Sequence, residues 1–234
     1  MTKEEFIKEL SLIGITINDQ QLNQFDLYFH TLVEWNEKMN LTSIVMEGDV
    51  YLKHFYDSLT IAKDFKFNNQ KIIDIGAGAG FPSIPLKIIY PDLDVTIVDS
   101  LNKRITFLNH LFDVLKLDNT KAIASRAEEY ATDHKEEYDV AMARAVARLN
   151  ILDELCLPLV KKDGYFLTLK GKAGKIELDE AKKGIKILGG KVEAIKEFKL
   201  PGLDDNRINI IIKKEGLSPK KYPRNFAKIK KSPL

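Results

Sequence analysis

Apolar side chains in residues 1–68 recur at three- and four-residue intervals, the spacing of amphipathic helices. Three helices are predicted: Gly14 ends the first, Asn18 or Asp19 can cap the second, and Asp49 starts the third. Their inward-facing residues are Phe6, Leu10 and Ile13; then Leu22, Phe25, Phe29, Leu32 and Val33; then Leu52, Phe55, Leu59 and Ala62. We expect residues 1–68 to form a helical cap.

From Lys71 onwards, short β-branched runs alternate with amphipathic helices. Strands are predicted at 72–75, 94–98, 121–124, 138–143 and 164–169, and helices at 81–90, 105–115, 151–160 and 176–188. Two last strands, 192–198 and 208–212, are expected to form an antiparallel pair. Repeated β-then-α units predict a doubly wound α/β domain over 69–214, with a mostly parallel sheet covered by helices on both faces. The cap and the sheet are expected to form one compact domain.

The composition narrows the class of protein. The 234 residues suffice for one α/β domain with an added helical piece. The single cysteine, Cys156, excludes an internal disulfide and a cysteine-based metal cluster, and no metal site is expected. No apolar run has the length of a signal peptide core or a membrane helix. We therefore expect a cytoplasmic protein without membrane contact, and a monomer.

Positive charge is concentrated at the C-terminus. Residues 213–234 contain eight Lys/Arg and one acid, whereas the rest of the chain has more acids than bases. A basic tail (residues 215–234) on an acidic body favours contact with a polyanion, because lysine and arginine displace counterions from phosphates. Tyr222 and Phe226, interleaved with these charges, favour RNA. A solvated, disordered tail is the alternative.

A glycine-rich segment, Asp74-Ile-Gly-Ala-Gly-Ala-Gly80, follows the first predicted strand and precedes a helix. Glycines allow a sharp turn and let a ligand approach the backbone, and ligands of open α/β sheets bind at the carboxyl ends of strands. A dinucleotide fingerprint would place glycines at Gly76, Gly78 and position 81, where this chain has Phe81. The third glycine, Gly80, comes one residue earlier. The spacing therefore favours S-adenosylmethionine over NAD.

Two aspartates flank this segment and the next strand. Asp99 ends the second strand, where a carboxylate can accept hydrogen bonds from both ribose hydroxyls of a bound nucleoside. Alternatively, Asp99 or Ser100 caps the following helix. Asp74 is either a ligand group or a local brace of the loop.

Several motifs occur in one order along the chain. They are Asn40-Leu-Thr42, His54-Phe-Tyr-Asp-Ser-Leu59, Asp74-Ile-Gly-Ala-Gly-Ala-Gly-Phe-Pro82, Asp99-Ser-Leu-Asn-Lys-Arg104, Ser125-Arg-Ala-Glu-Glu129, Ala143-Arg-Ala145, Leu169-Lys-Gly171, Arg207 and Tyr222-Pro-Arg224. In these motifs the chain resembles the RsmG (GidB) family, and the resemblance extends over most of its length. The His54–Asp57 motif and the Gly80-Phe81-Pro82 ending are more diagnostic than the glycines alone.

The resemblance implies a class I S-adenosylmethionine-dependent methyltransferase, with a Rossmann-like seven-stranded sheet whose last strand is antiparallel. It implies methyl transfer to N7 of a guanosine in 16S ribosomal RNA, at position 527 of the reference numbering, on the small ribosomal subunit or its assembly intermediate. The implied cofactor residues are Gly76, Phe81, Ala127, Glu128 and Arg144, to which the loop pattern adds Gly78, Gly80 and Asp99. The RNA-facing residues are Asn40, His54, Arg126, Arg144, Lys170 and Arg207.

Arg144, Lys170 and Arg126 are expected to position the RNA, and no general base is expected, since guanine N7 already has a free lone pair. Structural roles stay open for three residues: a salt bridge for Arg144, a hydrogen bond with Asp57 for His54, and a left-handed helix C-cap for Asn40.

Other functional classes fit the pattern less well. Phe81 disfavours a nicotinamide oxidoreductase, and a non-catalytic RNA-binding module would not need the glycine segment, Asp99 and Arg144 together. Methylation of the exocyclic amino group of adenine usually goes with an Asn/Asp-Pro-Pro-aromatic motif, which residues 143–146 lack. Methylation at pyrimidine C5 needs a nucleophilic thiol, whereas Cys156 lies in an apolar helix. A small-molecule methyltransferase remains an alternative.

Overall fold

A computed structural model describes residues 1–234. Its sheet has seven strands: β1 (Lys71–Ile75), β2 (Asp94–Asp99), β3 (Thr120–Ala124), β4 (Tyr138–Arg144), β5 (Val160–Lys170), β6 (Gly190–Lys199) and β7 (Asn206–Lys214). The strand order is β3-β2-β1-β4-β5-β7-β6, and β7 runs antiparallel to both of its neighbours. The predicted α/β class, with a mostly parallel sheet and an antiparallel last strand, is confirmed.

Ten α-helices accompany the sheet. They are α1 (Lys3–Leu12), α2 (Asp19–Met39), α3 (Glu47–Val50), α4 (Asp57–Leu59), α5 (Ser83–Ile89), α6 (Asn102–Leu115), α7 (Ala127–Asp133), α8 (Leu149–Cys156), α9 (Gly174–Ile187) and α10 (Phe226–Lys231). Capping boxes at Thr2 and Asn18 start the first two helices, as the sequence suggested for Asn18. Asn40 ends α2 in the left-handed conformation expected of a C-cap.

Strand residues alternate between two apolar cores, because successive side chains of a strand point to opposite faces of the sheet. One core includes Ile72 and Val95 and continues into the N-terminal helices through residues such as Phe25 and Phe55. The other includes Ile73 and extends to α8, α9 and the C-terminal segment. The cap therefore shares its core with one face of the sheet.

The segment predicted as the third helix is helical, but it is not one continuous α-helix. The segment starts at Glu47 as α3, widens into a π-helix at Tyr51–Tyr56, returns to one α-helical turn in α4 and ends as a 3₁₀ turn at Thr60–Lys63. Four of the six π-helical residues are buried: Tyr51, Leu52, Phe55 and Tyr56. A pattern read at 3.6 residues per turn cannot reveal this change in hydrogen bonding.

Other elements also differ from the sequence expectation. The helix after the glycine segment begins at Ser83 instead of Phe81, where the Asp74 carboxylate accepts the Ser83 N–H at 3.1 Å. The helix predicted for 151–160 ends at Cys156, because Pro158 follows and cannot continue it. Helix α7 was not predicted, since its short sequence lacks a clear apolar period.

The C-terminal segment packs against the second core. Tyr222 and Ile229 are buried, and Arg224 forms an ion pair with the fully buried Glu154 of α8 at 2.6 Å. Lys214, one of the basic residues counted toward a polyanion contact, is also fully buried and donates to the Leu157 carbonyl at 2.7 Å. The segment thus has a defined fold, with Lys220, Lys221, Lys228, Lys230 and Lys231 exposed on it.

No helix of the structure combines the length and the apolar character that a membrane span requires. No group of three or more His, Cys, Asp or Glu side chains is placed to hold a metal ion.

The Arg224–Glu154 pair provides a test of the C-terminal packing. Replacing Arg224 with alanine leaves the buried Glu154 carboxylate with only the backbone N–H of residue 224, at 2.7 Å. We expect Arg224→Ala to lower the free energy of unfolding by about 3 kcal/mol, measured by urea denaturation. The matched control is Arg148→Ala, which removes a bidentate pair with Glu180 whose two side chains are about half exposed. That change should have little effect, and equal losses in the two variants would contradict the assigned packing.

Candidate functional site

Two adjoining cavities lie at the carboxyl edge of the parallel strands. The larger, about 840 Å³, is bordered by the segments that follow β1, β2, β3 and β4. The smaller, about 690 Å³, lies beside the ends of β4 and β5 and is bordered by Asp57, Lys170 and Arg207. His54, Arg144, Ala145 and Val146 border both cavities. A ligand in one cavity therefore meets a ligand in the other along these residues.

The glycine segment forms the floor of the larger cavity. Its backbone conformation and its close neighbours leave no room for a side chain at two positions, Gly76 and Gly80. Gly76 and Gly80 have φ values of +71° and +101°. A Cβ at Gly76 would lie 2.8 Å from Val146, and one at Gly80 would lie 2.7 Å from the Tyr28 hydroxyl. The amide groups of 77–79 donate no hydrogen bond to another backbone group. The segment therefore offers unpaired N–H donors to the cavity.

Asp99 borders the larger cavity at the end of β2 and is 3% exposed. Its Oδ1 accepts the Leu101 N–H at 3.0 Å, and its Oδ2 accepts from Nη1 of Arg104 at 3.0 Å. The bracing role that the sequence left open is therefore present. Each carboxylate oxygen has a further lone pair, so the same group can also accept from a ligand hydroxyl.

Asp74 is a brace of the loop and does not border either cavity. It is completely buried, its Oδ2 accepts the first N–H of α5, and its Oδ1 has no partner. Burial raises the pKa of this carboxyl to about 7, although the Ser83 hydrogen bond opposes the shift.

The segment after β3 closes the opposite side of the larger cavity. Ser125, Arg126, Ala127 and Glu128 all border it. Ala127 and Glu128 form the first turn of α7. Glu128 is 8% exposed, whereas the Arg126 side chain is 63% exposed and its Nη1 lies 3.9 Å from Glu128. Arg126 is therefore free to contact a large partner.

Arg144 is the last residue of β4, and its guanidinium contacts the cap. Nη1 lies 3.3 Å from Oδ2 of Asp57 and donates to the carbonyls of Lys53 and His54 at 3.2 and 3.4 Å. Nη2 donates to Nδ1 of His54 at 3.2 Å. The salt bridge considered for Arg144 is thus present. Because a guanidinium has five N–H groups, Nε–H remains without a partner in the protein.

His54 is held as a neutral imidazole. Arg144 donates to Nδ1, so Nε2 bears the hydrogen and donates to the Thr42 hydroxyl at 2.9 Å. Burial, and then the charge of Arg144, lowers the pKa of His54 to about 3. The Nδ1 lone pair is occupied, so His54 cannot serve as a general base in this arrangement. Thr42 Oγ1 also accepts the Ile44 N–H, which leaves the hydroxyl hydrogen available to a ligand.

Phe81 lies at the centre of an aromatic stack. Its ring is nearly parallel to those of His54 and Tyr28, with centroids at 4.4 and 5.4 Å, and the Arg144 guanidinium lies 5.0 Å from its centroid. Phe81 borders the larger cavity but is only 6% exposed. It therefore supports the Arg144 and His54 side chains as well as one wall of the cavity.

The other predicted RNA-facing residues differ in their protein contacts and in the cavity that they border. Lys170 is buried, donates to the Ala147 carbonyl at 2.6 Å and pairs with Glu177 at 2.9 Å. Arg207 donates from Nε to both Asp57 oxygens at 3.1 Å and pairs with Asp205 through Nη1. Both border the smaller cavity. Asn40 borders neither cavity and lies next to Leu41 and Thr42, which border the larger one.

Several residues that border the larger cavity were not assigned to it from the sequence. They are Thr42, Arg104, Val146, Leu155 and Phe226. Thr42 and Arg104 belong to motifs recognised in the sequence, and this was the one signal available for them. Nothing in the apolar Leu155 or the tail residue Phe226 indicates a position near strands that are far away along the chain.

Comparisons with known proteins indicate one family. A family model described as GidB, rRNA small subunit methyltransferase G, matches residues 21–208. The chain is 55% identical to the ribosomal RNA small subunit methyltransferase G of Staphylococcus carnosus (strain TM300), over 100% of this chain and 99% of that protein. The protein of the same name from Bacillus subtilis (strain 168) is 53% identical with the same coverage.

Solved structures with low sequence identity share the fold. M. jannaschii TYW2, solved in complex with AdoMet, superposes with a TM-score of 0.57 at 16% identity, over 74% of this chain and 79% of that one. A precorrin-6y C5,15-methyltransferase from Geobacter metallireducens GS-15 gives 0.52 at 17% identity, over 69% and 87%. These similarities concern the architecture of the sheet and its helices.

The neutral state of His54 predicts a pH dependence of stability. Its pKa in the folded protein is below the ordinary value of 6.5, so the unfolded chain takes up a proton first as the pH falls. The contribution of His54 to stability is therefore complete above about pH 6.5 and declines toward pH 3. Asp74 and Asp153, whose pKa values are raised to about 7, act with the opposite sign in this range.

The contribution of His54 is therefore measured as the difference in unfolding free energy between wild type and a variant that lacks this group. We expect the loss of unfolding free energy caused by His54→Asn, measured by urea denaturation, to be larger at pH 7 than at pH 5. His54→Gln, a second variant without a titratable group, should give the same trend. A loss that stays constant or grows toward pH 5 would show that His54 is protonated in the folded protein.

Proposed function

The chain belongs to the GidB family of small-subunit rRNA methyltransferases, and from this premise we propose that it transfers a methyl group from S-adenosylmethionine to guanine N7 in 16S ribosomal RNA. The observation that supports this assignment best is the junction of the two cavities. The larger has the volume and the donors for a nucleoside cofactor, the smaller is open beside it, and Arg144 borders both.

The larger cavity fits S-adenosylmethionine in the chemistry of its lining. The unpaired amides of 77–79 suit the carboxylate of the methionine part, and Asp99 suits the ribose hydroxyls. Ala127 and Glu128, together with the apolar side chains across from them, suit the adenine. When bound, this cofactor supplies an electrophilic methyl group on a sulfonium.

The smaller cavity is assigned to the target guanosine. It is bordered by His54, Asp57, Arg144, Lys170 and Arg207, which the sequence placed on the RNA-facing side or in the same motif. Arg126 is exposed at the border of the larger cavity and is assigned to a phosphate of the RNA. Lys170 and Arg207 are paired with carboxylates. We assign to them mainly a structural role, shaping the cavity, and secondly hydrogen bonds to RNA oxygens.

The chemistry needs orientation and no proton removal. Guanine N7 has a free lone pair at neutral pH; as it forms a bond to the methyl carbon, the carbon–sulfur bond breaks and the guanine ring acquires the positive charge. The Nδ1 lone pair of His54 is occupied by the hydrogen bond from Arg144, which agrees with a reaction that uses no base. Holding N7 in line with the methyl group can contribute up to ~7–11 kcal/mol of the barrier reduction.

Arg144 is assigned to this orientation. Its position is fixed by Asp57, His54 and two carbonyl groups, while Nε–H is available for an oxygen of the acceptor. Because Asp57 neutralises its charge, the guanidinium can direct the acceptor without opposing the positive charge that develops on the ring.

The direct test of this function uses cells that lack the gene. Their 16S rRNA should lack one 7-methylguanosine, detected by nuclease digestion and mass spectrometry, and the purified protein with labelled S-adenosylmethionine should restore it on isolated small subunits. Free 16S rRNA and assembly intermediates, assayed in parallel, identify the preferred substrate. An unchanged 16S rRNA, or methylation only of small molecules, would refute the proposal.

Arg144 gives a sharper test of the site. We expect Arg144→Ala to lower kcat/KM for methyl transfer at least about 100-fold, because a displacement of roughly 1 Å at the reacting centre has that effect. Thermal unfolding verifies that the variant is folded. Lys182→Ala, an exposed change on α9 away from both cavities, should retain full activity. A folded Arg144→Ala enzyme with normal turnover would exclude the assigned role.

A further inference from the structure

The C-terminal segment provides one wall of the larger cavity. Phe226, the first residue of α10, borders this cavity together with Leu155 of α8. Its ring is half-buried and packs against the apolar core on the α8 side of the sheet. A residue about eighty positions beyond β4 therefore reaches the place where the ends of β1, β2 and β3 meet.

The position of Phe226 is fixed from both sides. On the N-terminal side, Tyr222 is buried and Arg224 holds the fully buried Glu154 through its own backbone N–H, Nε and Nη2. On the C-terminal side, Ile229 is fully buried and Arg224 also donates to the Ser232 carbonyl at 3.1 Å. The Asn225 side chain accepts the Ala227 N–H and starts α10. Such a segment has the rigidity of a cavity wall.

The groups assigned to the methionine part and to the ribose lie elsewhere in the cavity. The unpaired amides of 77–79 and the Asp99 carboxylate follow β1 and β2, whereas Ala127, Leu155 and Phe226 supply apolar surface on the α7 and α8 side. Adenine is the flat, weakly polar part of an adenosyl ligand, and an aromatic ring offers it a stacking surface.

We propose that Phe226 binds the adenine ring of the methyl donor, and that the Arg224–Glu154 ion pair is a positioning contact that holds Phe226 in place. The inference rests on the proposed function, since it requires an adenosyl ligand in the larger cavity. It gives the C-terminal segment a role in cofactor binding, in addition to any contact that its exposed lysines make with RNA.

Adenine is distant from the methyl group that is transferred, so Phe226 contributes equally to ground-state and transition-state binding. Its loss should raise the KM for S-adenosylmethionine and leave kcat nearly unchanged. Arg224→Ala should change KM in the same direction, because it releases the segment that holds Phe226.

Equilibrium binding provides the decisive measurement. Calorimetry with S-adenosylhomocysteine and with 5′-methylthioadenosine, which lacks the amino-acid part, compares wild type with Phe226→Ala. We expect binding of both ligands to weaken by the same factor, roughly tenfold, the effect of losing one base–aromatic stack. Phe226→Trp, which retains a flat ring, should bind both ligands with nearly wild-type affinity. Phe29→Ala, at a half-buried phenylalanine of α2 that borders neither cavity, is the matched control and should leave affinity unchanged.

The outcomes separate the two proposals. Wild-type protein that binds neither adenosyl ligand refutes the proposed function and this inference with it. Equal affinities of wild type and Phe226→Ala refute this inference alone, as does a loss confined to S-adenosylhomocysteine, which would place Phe226 at the amino-acid end. Should Phe226→Ala melt well below wild type, Phe226→Leu, which retains apolar volume without a flat ring, replaces it, with the same outcomes.

Discussion

The ion pair between Asp57 and Arg144 is the contact on which the site depends. Asp57 belongs to the cap and Arg144 to the end of a central strand, so their contact fixes the cap against the sheet. Arg207, from the antiparallel strand β7, donates to the same carboxylate. Burial raises the pKa of Asp57, and the two guanidinium groups oppose that shift. Removing either arginine would leave a buried carboxylate with one partner fewer, which is costly in a protein interior.

A second set of contacts connects the cap to the glycine segment. The Tyr28 hydroxyl donates to the Ala79 carbonyl at 2.5 Å, and the Tyr28 ring stacks on Phe81. The left-handed conformation of Gly80 and its lack of a side chain make room for this hydroxyl. The shape of the cavity floor is therefore determined jointly by the loop and by a helix fifty residues earlier, and the cap is part of the site.

The sequence predicted the order of the sheet elements and the glycine segment because each rests on local signals: β-branched runs, helical periods and glycine spacing. It did not predict the π-helix at Tyr51–Tyr56, which preserves an apolar pattern while changing the hydrogen bonds. Nor did it predict which charges are free. Arg126, Lys170 and Arg207 are equivalent basic residues in the sequence. In the structure Lys170 and Arg207 are paired with carboxylates, whereas Arg126 is exposed. The basic neighbours of Phe226 suggested an RNA contact, whereas the segment that carries Phe226 is joined to α8 by the ion pair of Arg224 with Glu154, a contact across seventy residues.

The charges around the smaller cavity match the reaction proposed for it. Each basic side chain on its border has a carboxylate partner within 3.3 Å; the pairs are Lys53–Asp49, Arg144–Asp57, Arg148–Glu180, Lys170–Glu177 and Arg207–Asp205. A guanine alkylated at N7 becomes a cation, and unpaired positive charges beside it would raise the barrier in a medium of low polarity. Paired guanidinium and ammonium groups still donate hydrogen bonds to RNA oxygens. A cavity built this way can recognise a polyanion by its hydrogen-bond acceptors and still tolerate the positive charge that the transferred methyl group brings to the base.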